Sequence, residues 1–218
     1  VVENISYDMP YGPRTQGFFL YPKDRSGRLP AVVALHDHGG FKYYGKEKIT
    51  AMPDEPIILQ EFKREGYSGR SWATELAKRG FAVLAMDGFL FGSRKVPIDS
   101  LNEDIQKRFK GLEPGSEEYI QRYNEFAAEH EHLLAKTIFA AGSTWPGVFT
   151  YEDRRSVDYL LTRPEVDPNR IGCAGLSGGG LRTIFLAGLD PRIHCAVCVG
   201  FMSTCLLYTS PSPRDRTR

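Results

Sequence analysis

The stretch 171–176 (IGCAGL) is an apolar run that passes directly into Gly175-Leu176-Ser177-Gly178-Gly179, and a second apolar run, 181–187, follows at once. A strand that turns this sharply into a helix brings the first helical turn against its own last residues. Only positions without a side chain tolerate that approach, and Gly175 and Gly179 stand there. Two other glycine-rich turns are excluded. A phosphate-cradling loop needs Gly-Lys-Ser/Thr, which is absent, and a dinucleotide-binding GxGxxG needs glycine where Ser177 stands.

Around this corner the sequence alternates between strand and helix patterns. Residues 16–21 (QGFFLY) read as a short strand placed early in a sheet. Residues 31–36 (AVVALH) and 81–86 (FAVLAM) are continuous apolar runs, the pattern of strands buried on both faces. Between them lies an excursion, 39–69, rich in aromatic and charged residues. It is followed by a helix over 71–79 with Ser71 as its N-cap and Gly80 as its stop. Residues 100–142 carry Tyr119, Tyr123, Phe126, Leu133, Leu134 and Ile138 near helical spacing, so a helical insertion or lid is expected there. Helix over 151–163, a turn at Asp167-Pro168-Asn169, strand over 170–176, helix over 178–189 and strand over 195–201 complete the pattern. Such alternation specifies an α/β domain with a mainly parallel sheet flanked by helices.

Composition removes whole classes of function. Of 218 residues, 28 are Lys or Arg and 27 Asp or Glu, so the charge balance gives no reason to expect a nucleic-acid partner or an acidic membrane surface. No apolar run approaches the roughly 20 residues of a membrane span. The N-terminus lacks the charged start and apolar core of a signal peptide, which favours a cytoplasmic location; the chain begins at Val1, so a lost leader stays compatible with it. Cys173, Cys195 and Cys198 lie in apolar, strand-like runs and are expected to pack in the core. The CxxC spacing of Cys195 and Cys198 is not read as a redox or zinc motif, because strand geometry points the two side chains to opposite faces.

Residues 205–218 break the pattern. The run from Cys205 to Asp215 resembles, residue for residue, the translation of a transposon adapter used in preparing DNA libraries. The expected organisation is therefore a partial domain over 1–204, incomplete at its C-terminus, and a non-native tail over 205–218.

The strand–turn–helix corner also carries chemistry. A serine on so tight a turn projects its Oγ above the sheet, and the helix N-terminus behind it offers a positive dipole end and unpaired N–H groups to a developing oxyanion. Ser177 is thus the candidate nucleophile and the Gly178 backbone N–H one oxyanion donor. Leu35-His36-Asp37-His38-Gly39-Gly40 follows the first buried strand and is the candidate source of the second donor. That donor is the main-chain N–H of His38, or of Gly39 if the loop register differs by one. A metal site on His36, Asp37 and His38 is disfavoured, since the other candidate ligands, His130 and His132, lie on the distant helical segment.

The sequence from Arg155-Ser156-Val157-Asp158-Tyr159-Leu160 through Pro164-Glu165-Val166-Asp167-Pro168-Asn169-Arg170-Ile171-Gly172 to Gly175-Leu176-Ser177-Gly178-Gly179 resembles the dienelactone hydrolase and acetyl xylan esterase branch of the α/β-hydrolases. Prolyl oligopeptidase relatives share much of that run. The loop at 35–40 is similar to the family's oxyanion loop, although Asp37 often corresponds to a glycine. Residues 87–94 resemble its loop after the next strand. The resemblance implies an α/β-hydrolase fold and hydrolysis of a carboxylic ester, on a small-molecule or sugar-linked substrate, through an acyl-enzyme and without metal or organic cofactor. A serine peptidase of the prolyl oligopeptidase type and a non-catalytic α/β-hydrolase scaffold are the alternatives. In this fold the triad runs Ser, then Asp or Glu, then His, so His36, His38 and Asp87 come too early, and His194 lies too close after the serine. The acid and the base are expected in sequence absent from this chain.

Overall fold

A computed structural model describes residues 1–200; the expected strand end at Phe201 and the 205–218 tail lie outside the described residues. Its centre is one six-stranded sheet, made of β1 (Val2–Tyr7), β2 (Thr15–Leu20), β3 (Leu29–Leu35), β4 (Ala82–Met86), β5 (Val166–Leu176) and β6 (Cys195–Val199). The spatial order is β1-β2-β4-β3-β5-β6. β1, β2 and β4 pair antiparallel, whereas β4, β3, β5 and β6 run parallel. The sheet is mainly parallel, as its apolar strands imply.

Helices cover both faces. They are α1 (Ile57–Tyr67), α2 (Trp72–Lys78), α3 (Glu103–Lys107), α4 (Glu117–Ala140), α5 (Trp145–Thr162) and α6 (Gly178–Leu189). Alternate residues of the central strands feed two cores. Val33, Leu35, Leu84 and Met86 pack with Val157, Leu160 and Leu186 beneath α5 and α6. Ala34, Val83 and Ala85 face the other way, onto Ala73 and Ala77 of α2. Both clusters are buried, so each large aliphatic side chain contributes about 1.5–3 kcal/mol of transfer free energy.

Several elements differ from the sequence expectation for identifiable reasons. β1 lacks an apolar run because it is an exposed outer strand. α1 fills part of the 39–69 excursion, its apolar stripe interrupted by the buried Lys63. Ser71 does precede α2 but makes no cap bond; its Oγ instead accepts from Lys63 Nζ at 3.1 Å. The helix expected at 151 starts at Trp145, where Thr144 Oγ1 accepts from Gly147 N and Pro146 occupies the first turn. β5 runs through Asp167-Pro168-Asn169, because the register slip between Leu29↔Val166 and Ala31↔Ile171 takes up the turn as an irregularity of the ladder.

The cysteines also need correction. Cys173 is buried and its thiol is pushed up to about 12 by that burial, but Cys195 is exposed and Cys198 only half-buried. Cys195 does not pack in a core because β6 is the outermost strand among the described residues.

The 100–142 segment forms α3 and the long α4, with a small core of its own. Phe109, Tyr123 and Phe126 pack against Tyr43, while Phe41 joins Leu59 and Ile120. The aromatic residues of the 39–69 excursion therefore seat α4 over the sheet.

Candidate active site

Ser177 links β5 to α6 with φ 54° and ψ −117°. A non-glycine residue rarely adopts this conformation, and holding it costs about 1–3 kcal/mol. The surroundings impose it. Ser177 N donates to Val199 O at 2.9 Å, while Ser177 O accepts from Leu181 N at 2.9 Å as the helix begins. A Cβ at Gly175 would collide with the backbone of Gly179, one at Gly179 with Leu35 O, and one at Gly180 would lie 2.9 Å from Val199 O. The glycines let α6 start in contact with β5, β3 and β6 together.

Gly178 faces the loop after β3. A Cβ on it would stand 2.8 Å from the backbone N of His38 and 3.0 Å from His38 Cβ. The N–H groups of His38 and Gly39 serve no protein acceptor among the described residues. Gly178, as the first residue of α6, has no intrahelical acceptor for its N–H either. Ser177, Gly178 and the His38 peptide are thus brought together at one rim of the sheet.

A cavity of about 580 Å³ opens there, bounded by His38, Phe91, Trp145, Phe149, Ser177 and Leu181, among others. It is mostly apolar with a few polar groups, the usual make-up of a small-molecule site. A larger groove, about 780 Å³, lies on the opposite face between Trp72 and Leu76 of α2 and Leu176, Val197 and Val199; it contains neither Ser177 nor the His38 loop.

Each histidine can be placed. His36 is buried: its Nε2 accepts from Gly88 N at 3.1 Å and its Nδ1–H donates to Asp37 O at 3.0 Å. Burial and the neighbouring Arg182 guanidinium hold it neutral, well below its ordinary range. His38 Nδ1 accepts from Gly40 N at 3.1 Å, so the hydrogen sits on Nε2 and is donated to Glu131 Oε1 at 2.7 Å. His130 Nδ1 pairs with Phe126 O inside α4. His194 precedes β6, at the rim opposite Ser177, where its N–H donates to Ile171 O. His132 makes no hydrogen bond to Ser177 among the described residues. Both ring nitrogens of His36 and of His38 are thus already engaged.

The contact with Glu131 overturns the expectation that the helical segment is remote: α4 reaches the rim and completes the cavity wall. Sequence spacing carried no trace of this, since Glu131 looks like any solvated helix position. No grouping of His, Cys, Asp and Glu able to hold a metal ion occurs among the described residues.

Buried charges brace the same rim. Arg182 of α6 donates from Nη2 and Nε to Asp153 of α5 at 2.6 and 3.0 Å. Arg94 reaches Glu152 at 2.6 Å, and Glu152 Oε2 accepts from Phe89 N at 2.8 Å. Asp87, after β4, accepts from Lys46 N, Lys46 Nζ, Ser93 N and Ser93 Oγ, so it organises its loop and does not face Ser177.

No family model matches the sequence. A curated relative, "Putative hydrolase YtaP" of Bacillus subtilis (strain 168), is 27% identical over 203 residues, covering 93% of this chain and 53% of its own length. Among solved structures, a "putative acetyl xylan esterase" from Bacteroides fragilis NCTC 9343 superposes with a TM-score of 0.54 at 16% identity, over 88% of this chain and 46% of that one. The fold is that of the α/β-hydrolases. A glucuronoyl esterase from Solibacter usitatus shares this α/β-hydrolase architecture, with a TM-score of 0.50 and 16% identity, over 88% of this chain and 45% of its own. The chain spans about half the length of each of these proteins. No helix among the described residues is long and apolar enough to cross a membrane.

Proposed function

We propose that this α/β-hydrolase chain carries the nucleophile and oxyanion hole of a carboxylic ester hydrolase working through an acyl-enzyme. The observation that carries the reading is the strained Ser177, φ 54°, beside Gly178 and the unspent N–H of His38. Ser177 Oγ attacks the ester carbonyl as a base removes its proton. The carbonyl oxygen gains negative charge and is held by the N–H groups of Gly178 and His38, with Gly39 the alternative if the substrate sits one residue further along the loop. The alcohol departs protonated, and water releases the acid in a second, equivalent addition.

The base and its orienting acid are supplied from sequence that belongs after Thr204 and is absent from this chain. Two considerations support this: both nitrogens of His36 and His38 are occupied, and the relatives are about twice as long. The 218-residue chain alone is accordingly inactive. The relatives' names, acetyl xylan esterase and glucuronoyl esterase, point toward a small-molecule or sugar-linked ester as substrate. Helices α3 and α4 form a helical insertion that closes one side of the site. The deciding experiment is hydrolysis of p-nitrophenyl acetate by the protein extended through its downstream sequence. Turnover that disappears in Ser177→Ala is expected; equal turnover in both proteins would refute the assignment.

A further inference from the structure

Directly beneath the loop after β3 lies Lys48, fully buried, which takes no part in the chemistry above. Its ammonium donates to Asp37 O at 2.5 Å and to His38 O at 3.1 Å. It rests against the faces of Phe91 and Phe62 and stands 3.7 Å from Asp37 Oδ2. Asp37 Oδ1 in turn accepts from the Tyr67 hydroxyl at 2.5 Å. The Asp37 carboxylate is tucked so closely under the loop that a Cβ on Gly39 would strike it, and Gly39 itself has φ +55°.

The two carbonyls that Lys48 holds are the other halves of the two peptides whose N–H groups matter. In a trans peptide the C=O and N–H point in opposite directions. Fixing Asp37 O toward Lys48 therefore aims His38 N–H away from it, and fixing His38 O does the same for Gly39 N–H. Each oxygen also has a second donor: His36 Nδ1 for Asp37 O and Phe41 N for His38 O. Neither peptide can flip without abandoning two hydrogen bonds, one of them from a buried charged group.

We infer that Lys48, seated on the Asp37 and Tyr67 side chains, is a positioning residue that locks the oxyanion-loop peptides in their donating orientation. This rests on the reading of the Ser177 site given above. Asp37 belongs to the same device: it supplies the counter-charge that lets a lysine occupy the space beneath the loop. Removing the lysine leaves each peptide held by a single hydrogen bond, and a rotated peptide presents carbonyl oxygen where the transition state needs N–H.

The test begins with the isotopically labelled 218-residue chain. In the unmutated protein, nuclear magnetic resonance is expected to detect a hydrogen-bond coupling between Lys48 Nζ and the Asp37 carbonyl carbon; its absence would overturn the inference without any variant. In Lys48→Met the Asp37 and His38 carbonyl carbons move upfield and the His38 and Gly39 amides shift. In Lys63→Met, which deletes a buried lysine bonded instead to Thr50, Ser71 and Glu55, they stay in place. In the protein extended through its base and acid, Lys48→Met lowers kcat by about 10²-fold, the order of one lost oxyanion donor, while KM stays within about twofold. Unmoved carbonyl carbons, or an undiminished kcat, would overturn the inference. Ester turnover that survives Ser177→Ala would instead sink the reading of the site and leave the resonance result untouched.

Discussion

His38 Nε2 donates to Glu131 Oε1 across 2.7 Å, joining the loop after β3 to helix α4, 93 residues further along the chain. Burial opposes the charge on Glu131, but the hydrogen bond from His38 and the Lys42 ammonium outweigh it and hold the carboxyl below its ordinary range. A carboxyl depressed in the folded protein contributes stability that is complete above its unfolded value, about 4.3, and is lost as pH falls through the folded value. Urea midpoints measured from pH 3 to 7 should therefore show Glu131→Gln less stable than wild type near neutrality, the two converging in acid. A gap of constant size would show that the pair is not responsible.

The Arg182–Asp153 pair is almost fully enclosed between α5 and α6, and Asp153 holds the guanidinium charged against its burial. Asp153→Ala strands that charge, at a cost of about 3–5 kcal/mol. Replacing both residues with apolar ones of similar volume recovers most of the loss. Chemical denaturation of the single and double variants decides this, and additive losses would contradict it.

Gly179→Ala is expected to be among the most damaging single-methyl additions in the protein. The new Cβ would strike Leu35 O, a main-chain atom fixed in the sheet, and overpacking of this kind typically costs about 1–3 kcal/mol or more. Gly66→Ala, in α1 with open space around it, is the control and should be neutral or mildly stabilising. Comparable stabilities for the two variants would be evidence against the packing at the corner.

The strain at Ser177, the N-cap of α6, predicts that glycine is tolerated there better than alanine. Ser177→Gly relieves the positive φ, whereas Ser177→Ala retains it. The glycine variant should unfold later by about 1 kcal/mol, read as a higher melting temperature. Alanine equal to or above glycine would mean that the serine carries no strain.

Thiol reactivity separates the three cysteines of the described residues. Cys195 is exposed and alkylates first, Cys198 follows more slowly, and Cys173, buried with a raised thiol pKa, reacts only on unfolding. Peptide mass mapping after timed iodoacetamide treatment gives the order, and early modification of Cys173 would contradict its burial.

The parts of this molecule legible in the sequence are those governed by local pattern. The apolar runs of β3 and β4, the turn at Ser177 and the helix behind it follow from periodicity and glycine placement. Pairwise tertiary chemistry left no such mark. Nothing in the local pattern marks Lys42, Lys48 and Lys63 as buried, yet each lies inside beside a carboxylate, Glu131, Asp37 and Glu55 in turn. β1 has no such mark because an exposed outer strand need not be apolar, and the exposure of Cys195 has none because an apolar run at a sheet edge resembles one at its centre.

The loops at His36–Gly40, at Asp87–Arg94 and at Ser177 all leave the same ends of the parallel strands β3, β4 and β5. At the opposite ends the chain only enters the strands, as at Pro164-Glu165 before β5 and His194 before β6. This polarity divides the sequence into two ledgers of change. On the function proposed above, lengthening or recolouring a loop at the first rim changes what reaches Ser177, while drift at the second rim is filtered by folding alone. Descendants of such a chain can diversify in what they bind at that rim long before they differ in how they stand up.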